Sequence, residues 1–170
     1  IIFDSKDFVF ICVSNKNYLT LAGVVSGAVG GFQQDGLVTK VSGGLIKQGN
    51  GILAFKNANS SVSLGSLQIH QGGVSIYNDN VKTVSVNMYN ETMLDLHDST
   101  SNIAHIKSVG KNTIFTHRNT ISTLSKGITG YGNIFKEGPG TLCLGPTSNQ
   151  GSLVISEGRI ISTAAIAPYF

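Results

Sequence analysis

Apolar and polar residues alternate along this chain in short bursts, and glycine or asparagine separates one burst from the next. The clearest case is the stretch 130–162, GYGNIFKEGPGTLCLGPTSNQGSLVISEGRIIS, which holds Leu142/Leu144, Leu153/Ile155 and Ile160 with its neighbours. A period of two puts every second side chain on one face, as in a strand with one buried side, while Gly138-Pro139-Gly140 and Ser148-Asn149-Gln150-Gly151 read as turns. Two apolar runs in Ile1–Val13 predict an entering strand pair, and Tyr18–Ala22 a further strand. Val38–Val41 and Leu45–Ile46 predict two brief strands before a corner at Gly49-Asn50-Gly51. Between Val81 and Leu124 the pattern is less regular, with short alternations at Val84–Met88, Met93–Leu96, Ile103–Ile106, Thr113–Phe115 and Thr120–Leu124. Strands at about ten-residue intervals are denser than a sandwich, and three per coil give a rung of roughly 20 to 30 residues, a solenoid period. No window carries the sustained i, i+3, i+4, i+7 spacing of a helix with caps.

The pattern also repeats. In the segment 44–76, Leu45, Lys47, Gly49, Gly51, Leu53 and Phe55 align with Ile134, Lys136, Gly138, Gly140, Leu142 and Leu144. A second block aligns Gly65, Ser66, Leu67, Ile69, Gly72 and Val74 with Gly151, Ser152, Leu153, Ile155, Gly158 and Ile160. The offsets are 89 and 86 residues, so the earlier copy carries three extra residues at its 57–63 corner. Solenoids accept such insertions because length changes go to loops between stacked units. The chain therefore reads as all-β, a single β-helix segment over 1–170 with repeat copies at about 44–76 and 130–162. Leu142 and Leu144 are expected in the buried column and Cys143 facing away from it.

Composition agrees and narrows the chemistry. Of 170 residues 21 are Gly, charged residues are 12% and Trp is absent, which suits a chain of many corners. The net charge of +3 makes no strong case for nucleic acid, and none is expected as a partner. Cys12 and Cys143 match no metal or redox spacing and should lie many rungs apart, so they are expected unpaired. The glycine-rich run 23–31 lacks the Gly-Lys-Ser/Thr ending of a phosphate loop. The apolar run Phe8–Val13 is too short to span a bilayer, and a start at Ile1 without Met reads as an internal piece of a longer rod.

Candidate chemistry is sparse. Between Asp98 and Glu137 no acid occurs, whereas Lys107, Lys111, Arg118 and Lys126 lie there, a surface suited to sulfated glycans or acidic lipid headgroups, or simply to solubility. His97 with its neighbour Asp98, and His117 20 residues on, would stand one rung apart and make a metal pair or acid–base couple conceivable; two solvated polar residues is the plainer reading. Asp95 and Asp98 invite comparison with carbohydrate-cleaving β-helices, but no carboxylate cluster accompanies them. No Ser stands in a Gly-x-Ser-x-Gly context. No catalytic, cofactor or metal residue is therefore assigned.

The run Ile134-Phe135-Lys136-Glu137-Gly138-Pro139-Gly140-Thr141-Leu142-Cys143-Leu144, followed by Gly151–Ile160, resembles the passenger repeat of bacterial autotransporters. That repeat has an apolar residue, Lys, x, Gly, x, Gly, Thr, Leu, x, Leu, a turn, and a strand with Gly-Thr-Leu. Leu45–Phe55 is similar, and Gly23–Gly27 and Gly127–Gly130 resemble the step that precedes the repeat. Ile52 where Thr is usual, Arg159 in the final Gly-Thr-Leu position, and Cys143 are departures. The resemblance implies a right-handed parallel β-helix on the cell surface or secreted, exported through the periplasm and a C-terminal outer-membrane barrel outside this chain. It implies a non-enzymatic scaffold for adhesion or virulence, meeting a host-cell surface protein or glycan. A polysaccharide lyase or glycosidase, or a toxin-like passenger, are the alternatives. The open backbone edges of such a rod favour end-to-end association, and the more regular C-terminal copy is expected to be the more stable end.

Overall fold

The computed structural model describes residues 2–3, 9–14, 17–21, 26–27, 38–56, 61–77, 81–97 and 103–163, and every regular element among them is a β-strand. One face stacks seven parallel strands: β2 (Val9–Cys12), β5 (Val38–Gln48), β7 (Ser61–Ile69), β9 (Val81–Met88), β11 (Ile106–Ser108), β14 (Ile128–Gly130) and β17 (Ser148–Asn149). A second face stacks β3 (Tyr18–Leu21), β6 (Ile52–Phe55), β8 (Gly73–Ile76), β10 (Thr92–Leu96), β12 (Lys111–Thr116), β15 (Asn133–Glu137) and β18 (Leu153–Ile155). A third holds β13 (Ile121–Leu124), β16 (Thr141–Leu144) and β19 (Arg159–Ser162), and β1 (Ile2–Phe3) pairs with β4 (Ser26–Gly27). Because the chain visits the faces in turn and returns to the first one level on, every ladder is parallel and the fold is a β-solenoid. Seven strands at the usual spacing of about 4.8 Å make a stack roughly 30 Å tall.

Period-two alternation points alternate side chains into the coil, and register stacks them in columns. Leu45, Leu67, Val86, Ile106 and Ile128 succeed one another on the first face, and Leu53, Val74, Leu94 and Ile114 on the second. All are buried, as are Leu142 and Leu144 of β16, while Cys143 between them faces outward. Each such aliphatic contributes about 1.5–3 kcal/mol by leaving water, so the columns are the main source of stability. Both cysteines are free.

Several local expectations need correction. The two brief strands at 38–41 and 45–46 are one strand, β5, with a register irregularity between Val41 and Gly44. The entering strands β1 and β2 do not pair with each other; their partners are β4 and β5. Three strands per coil occur in the levels that carry β13, β16 and β19, and the first two levels add β1 and β4 to their two face strands, while the levels of β7–β8 and β9–β10 show two among the described residues. The middle of the chain is regular: β9 to β12 stack in continuous register, and Ile103 adds a bridge to Thr83. Its alternation was masked because polar side chains take inward positions, including Thr92, Ser108, Asn112 and Thr116, all buried. Most of the 23–31 glycine run and the 57–60 part of the insertion lie outside the described residues.

The two repeat copies build the same corner on different faces. The earlier copy turns from the first face to the second, β5 to β6 and β7 to β8. The later one turns from the second to the third, β15 to β16 and β18 to β19. Gly49 and Gly138, both at φ 75°, make the equivalent turns, a conformation that glycine alone adopts without strain.

Candidate functional site

The most concentrated chemistry stands on the outer side of the second face. Thr92, Leu94 and Leu96 of β10 point inward, so Asp95 points outward and His97, just beyond the strand, follows on the same side. The ladder continues past the strand ends, His97 N–H donating to the Ile76 carbonyl and His117 N–H to the Leu96 carbonyl, which sets Tyr77, His97 and His117 in one column. Their rings stack: Tyr77 on His97 at 3.7 Å and 12°, His97 on His117 at 3.8 Å and 19°. Phe115 meets His117 edge-on at 4.9 Å, and Lys56 Nζ lies 4.5 Å from the Tyr77 ring centre.

Asp95 ties the two imidazoles together. Its Oδ2 lies 2.8 Å from His97 Nε2 and its Oδ1 2.9 Å from His117 Nε2, one oxygen for each ring. Ser75 Oγ donates to Oδ2 at 2.9 Å from the neighbouring strand, which fixes the carboxylate plane. The side chain of Asp95 is 14% exposed, that of His97 23% and that of His117 36%, so the cluster is seated but open to water on one side. One ligand atom from each of the three falls within 4.8 Å of the others, a donor set of two imidazoles and a carboxylate that suits a divalent transition metal.

The one-rung spacing expected of His97 and His117 brings their rings together. Asp98 lies outside the described residues, and Asp95 does the bridging. Side-chain parity is the signal that was available for Asp95, which stands two residues from His97 and shares its face.

The four basic residues are exposed but spread around one coil. Lys107 lies on β11, Lys111 opens β12, Arg118 is in the turn after β12, and Lys126 precedes β14. Lys111 Nζ sits 5.0 Å from the Phe135 ring centre. Lys107 and Lys126 both act on His105, whose pKa is lowered first by burial and then by these two charges. His105 Nε2 is 2.8 Å from Thr129 Oγ1.

Two further lysines are fully buried, which sequence reasoning missed. Lys47 Nζ donates to the carbonyls of Gln48, Gly49 and Gln71 at 2.9, 2.6 and 3.2 Å. Lys136 Nζ donates to those of Glu137, Gly138 and Glu157 at 2.8, 2.6 and 3.1 Å. Their stems stand in register between isoleucines, Ile11 and Ile69 in one case and Ile114 and Ile155 in the other. Burial lowers the pKa of both ammonium groups. A corner that turns its carbonyls inward must satisfy them, and the three N–H bonds of an ammonium do so. At the β11–β12 corner a similar task falls to Asn112, whose Nδ2 donates to Ser108 Oγ and the Val109 carbonyl at 2.9 Å each, while its Oδ1 accepts from Thr92 N–H and Oγ1.

No family model, curated protein or solved structure matches the chain.

Proposed function

We propose that this chain is a scaffold segment of an autotransporter passenger, a non-enzymatic rod held at the cell surface or secreted, which adheres to or presents itself to a host surface. The observation that supports it is the duplicated Lys-x-Gly-x-Gly corner. Both copies use an inward lysine, a left-handed glycine and the same two-strand framework, the sequence features on which the resemblance rests. The ammonium groups of these corners hold successive turns of the coil together. On this reading a C-terminal outer-membrane barrel follows in the parent protein, and the open ladder edges allow end-to-end association. The partner is a host-cell surface protein or an acidic glycan, met through the exposed Lys107, Lys111, Arg118 and Lys126.

The parent reading frame tests the family assignment: it should continue into amphipathic strands of about ten residues that form a barrel. A frame that closes without them overturns it. Adhesion is tested with the purified chain on immobilised heparin and on epithelial cells. Binding should weaken with salt and in K107E/K126E. Salt-independent retention, or none, removes the basic ring from the proposal. The carbohydrate-cleaving alternative would show as turnover of uronate polymers that disappears in D95A.

A further inference from the structure

We propose that Asp95, His97 and His117 form a binding site for a divalent transition-metal cation of the zinc class, bridging two adjacent levels of the solenoid. The site follows from side-chain geometry and is independent of the autotransporter reading. Two imidazoles are held nearly parallel at 3.8 Å, and each presents Nε2 to the same carboxylate. Zinc takes imidazole nitrogen at about 2.0–2.1 Å and carboxylate oxygen at about 2.0–2.2 Å in a tetrahedron, so its ligand atoms stand roughly 3.3–3.5 Å apart. The present N···O distances of 2.8 and 2.9 Å need open by only about half an ångström to admit an ion between the two rings and the carboxylate.

The surroundings are those of a metal site with supporting contacts. Ser75 orients the carboxylate by its hydrogen bond, Tyr77 backs His97 by stacking, and Phe115 braces His117 by its edge. Such partners fix ligand orientation before the ion arrives. The donor set excludes Ca2+ and Mg2+, which take oxygen ligands in larger number. With three protein ligands and one side open to water, a fourth position is left for solvent or an exogenous ligand.

The test is calorimetric titration of the 170-residue chain with Zn2+ alone at neutral pH. One ion per chain is expected. H117A and D95N should each weaken binding by more than the roughly 10–100-fold that loss of an outer-shell partner costs, and S75A by that smaller factor. H70A/H105A, which removes the histidines outside the cluster, should bind as wild type does. Because the variants could lose structure locally, the wild-type chain is also followed by long-range nitrogen–proton NMR. Zn2+ should shift the Nε2 resonances of His97 and His117. Absence of stoichiometric binding, binding unchanged in both H117A and D95N, or shifts confined to His70 and His105 would each overturn the proposal.

Discussion

Replacing Lys136 by Met tests whether the buried lysines staple the corners. Met keeps the unbranched stem between Ile114 and Ile155, so packing is little changed. What disappears is the ammonium and its three bonds. The Gly138 carbonyl is buried with that bond, and leaving it without a donor costs about 1–3 kcal/mol. The Glu137 and Glu157 carbonyls are part-exposed, so water replaces the donor there and the loss is about 0.5–1.5 kcal/mol each. Against this stands the relief of a desolvated charge, the cause of the lysine's lowered pKa. The net expectation is a destabilisation of about 2–4 kcal/mol. Urea unfolding, followed by far-UV circular dichroism and by the emission of the five tyrosines in a chain without tryptophan, measures it. The exposed Lys126→Met should stay within about 0.5 kcal/mol of wild type. If Lys136→Met does so too, or is more stable, the burial cost of the ammonium cancels its bonds and the staple argument fails.

Three further outcomes follow from the same contacts. The folded-state pKa of Lys47 and Lys136 lies below 10.5, so the unfolded chain binds more protons above the folded value, and wild-type stability relative to K47M/K136M should rise with pH through that window up to 10.5; a flat or falling difference contradicts the burial argument. His105 also has a lowered pKa, so its contribution is whole above 6.5 and is lost as pH falls from 6.5 to the folded value, and H105Q should flatten that acid-side slope in denaturation curves. Gly138→Ala places a Cβ against the Thr116 carbonyl and the Phe115 ring at φ 75°, and should cost at least about 1–2 kcal/mol, whereas Ala at the exposed neighbour Pro139 should change little by thermal unfolding.

The strands were legible because inward Leu, Ile and Val alternate with outward polar residues, as at Leu142, Cys143 and Leu144. Legibility failed where an inward position carries a polar side chain. Asn112, Thr92 and Ser108 are satisfied inside the coil, and in sequence they break the alternation that would have marked β10 to β12 as regular. Lys47 and Lys136 failed for the same reason: a lysine is a surface residue by default, and only its recurrence before Gly-x-Gly in both copies hinted at a structural task. For the histidine cluster, the 20-residue spacing of His97 and His117 was sufficient to bring them together. The bridging acid depended on where β10 ends, and strand ends are the least certain part of any reading by pattern.

The displacement of the repeat by one face says what the repeated unit encodes. Were it a whole rung, its two copies would lie on the same faces, an integral number of coils apart. They do not: Lys47 belongs to the first face and Lys136 to the second, yet each reaches the carbonyls of its own turn and of the turn one level on, Gln71 and Glu157. The aligned residues therefore specify a corner with its two flanking strands, stapled to the corner above, and carry no information about which face they begin on. That explains why the copies tolerate a different number of residues between their blocks, and why Asn112 can stand in for the lysine at the β11–β12 corner. A solenoid built this way needs only that each corner be internally satisfied. The faces then follow from the number of corners made, and the outward positions are left free to vary, as they do where Asp95, His97 and His117 have accumulated on one of them.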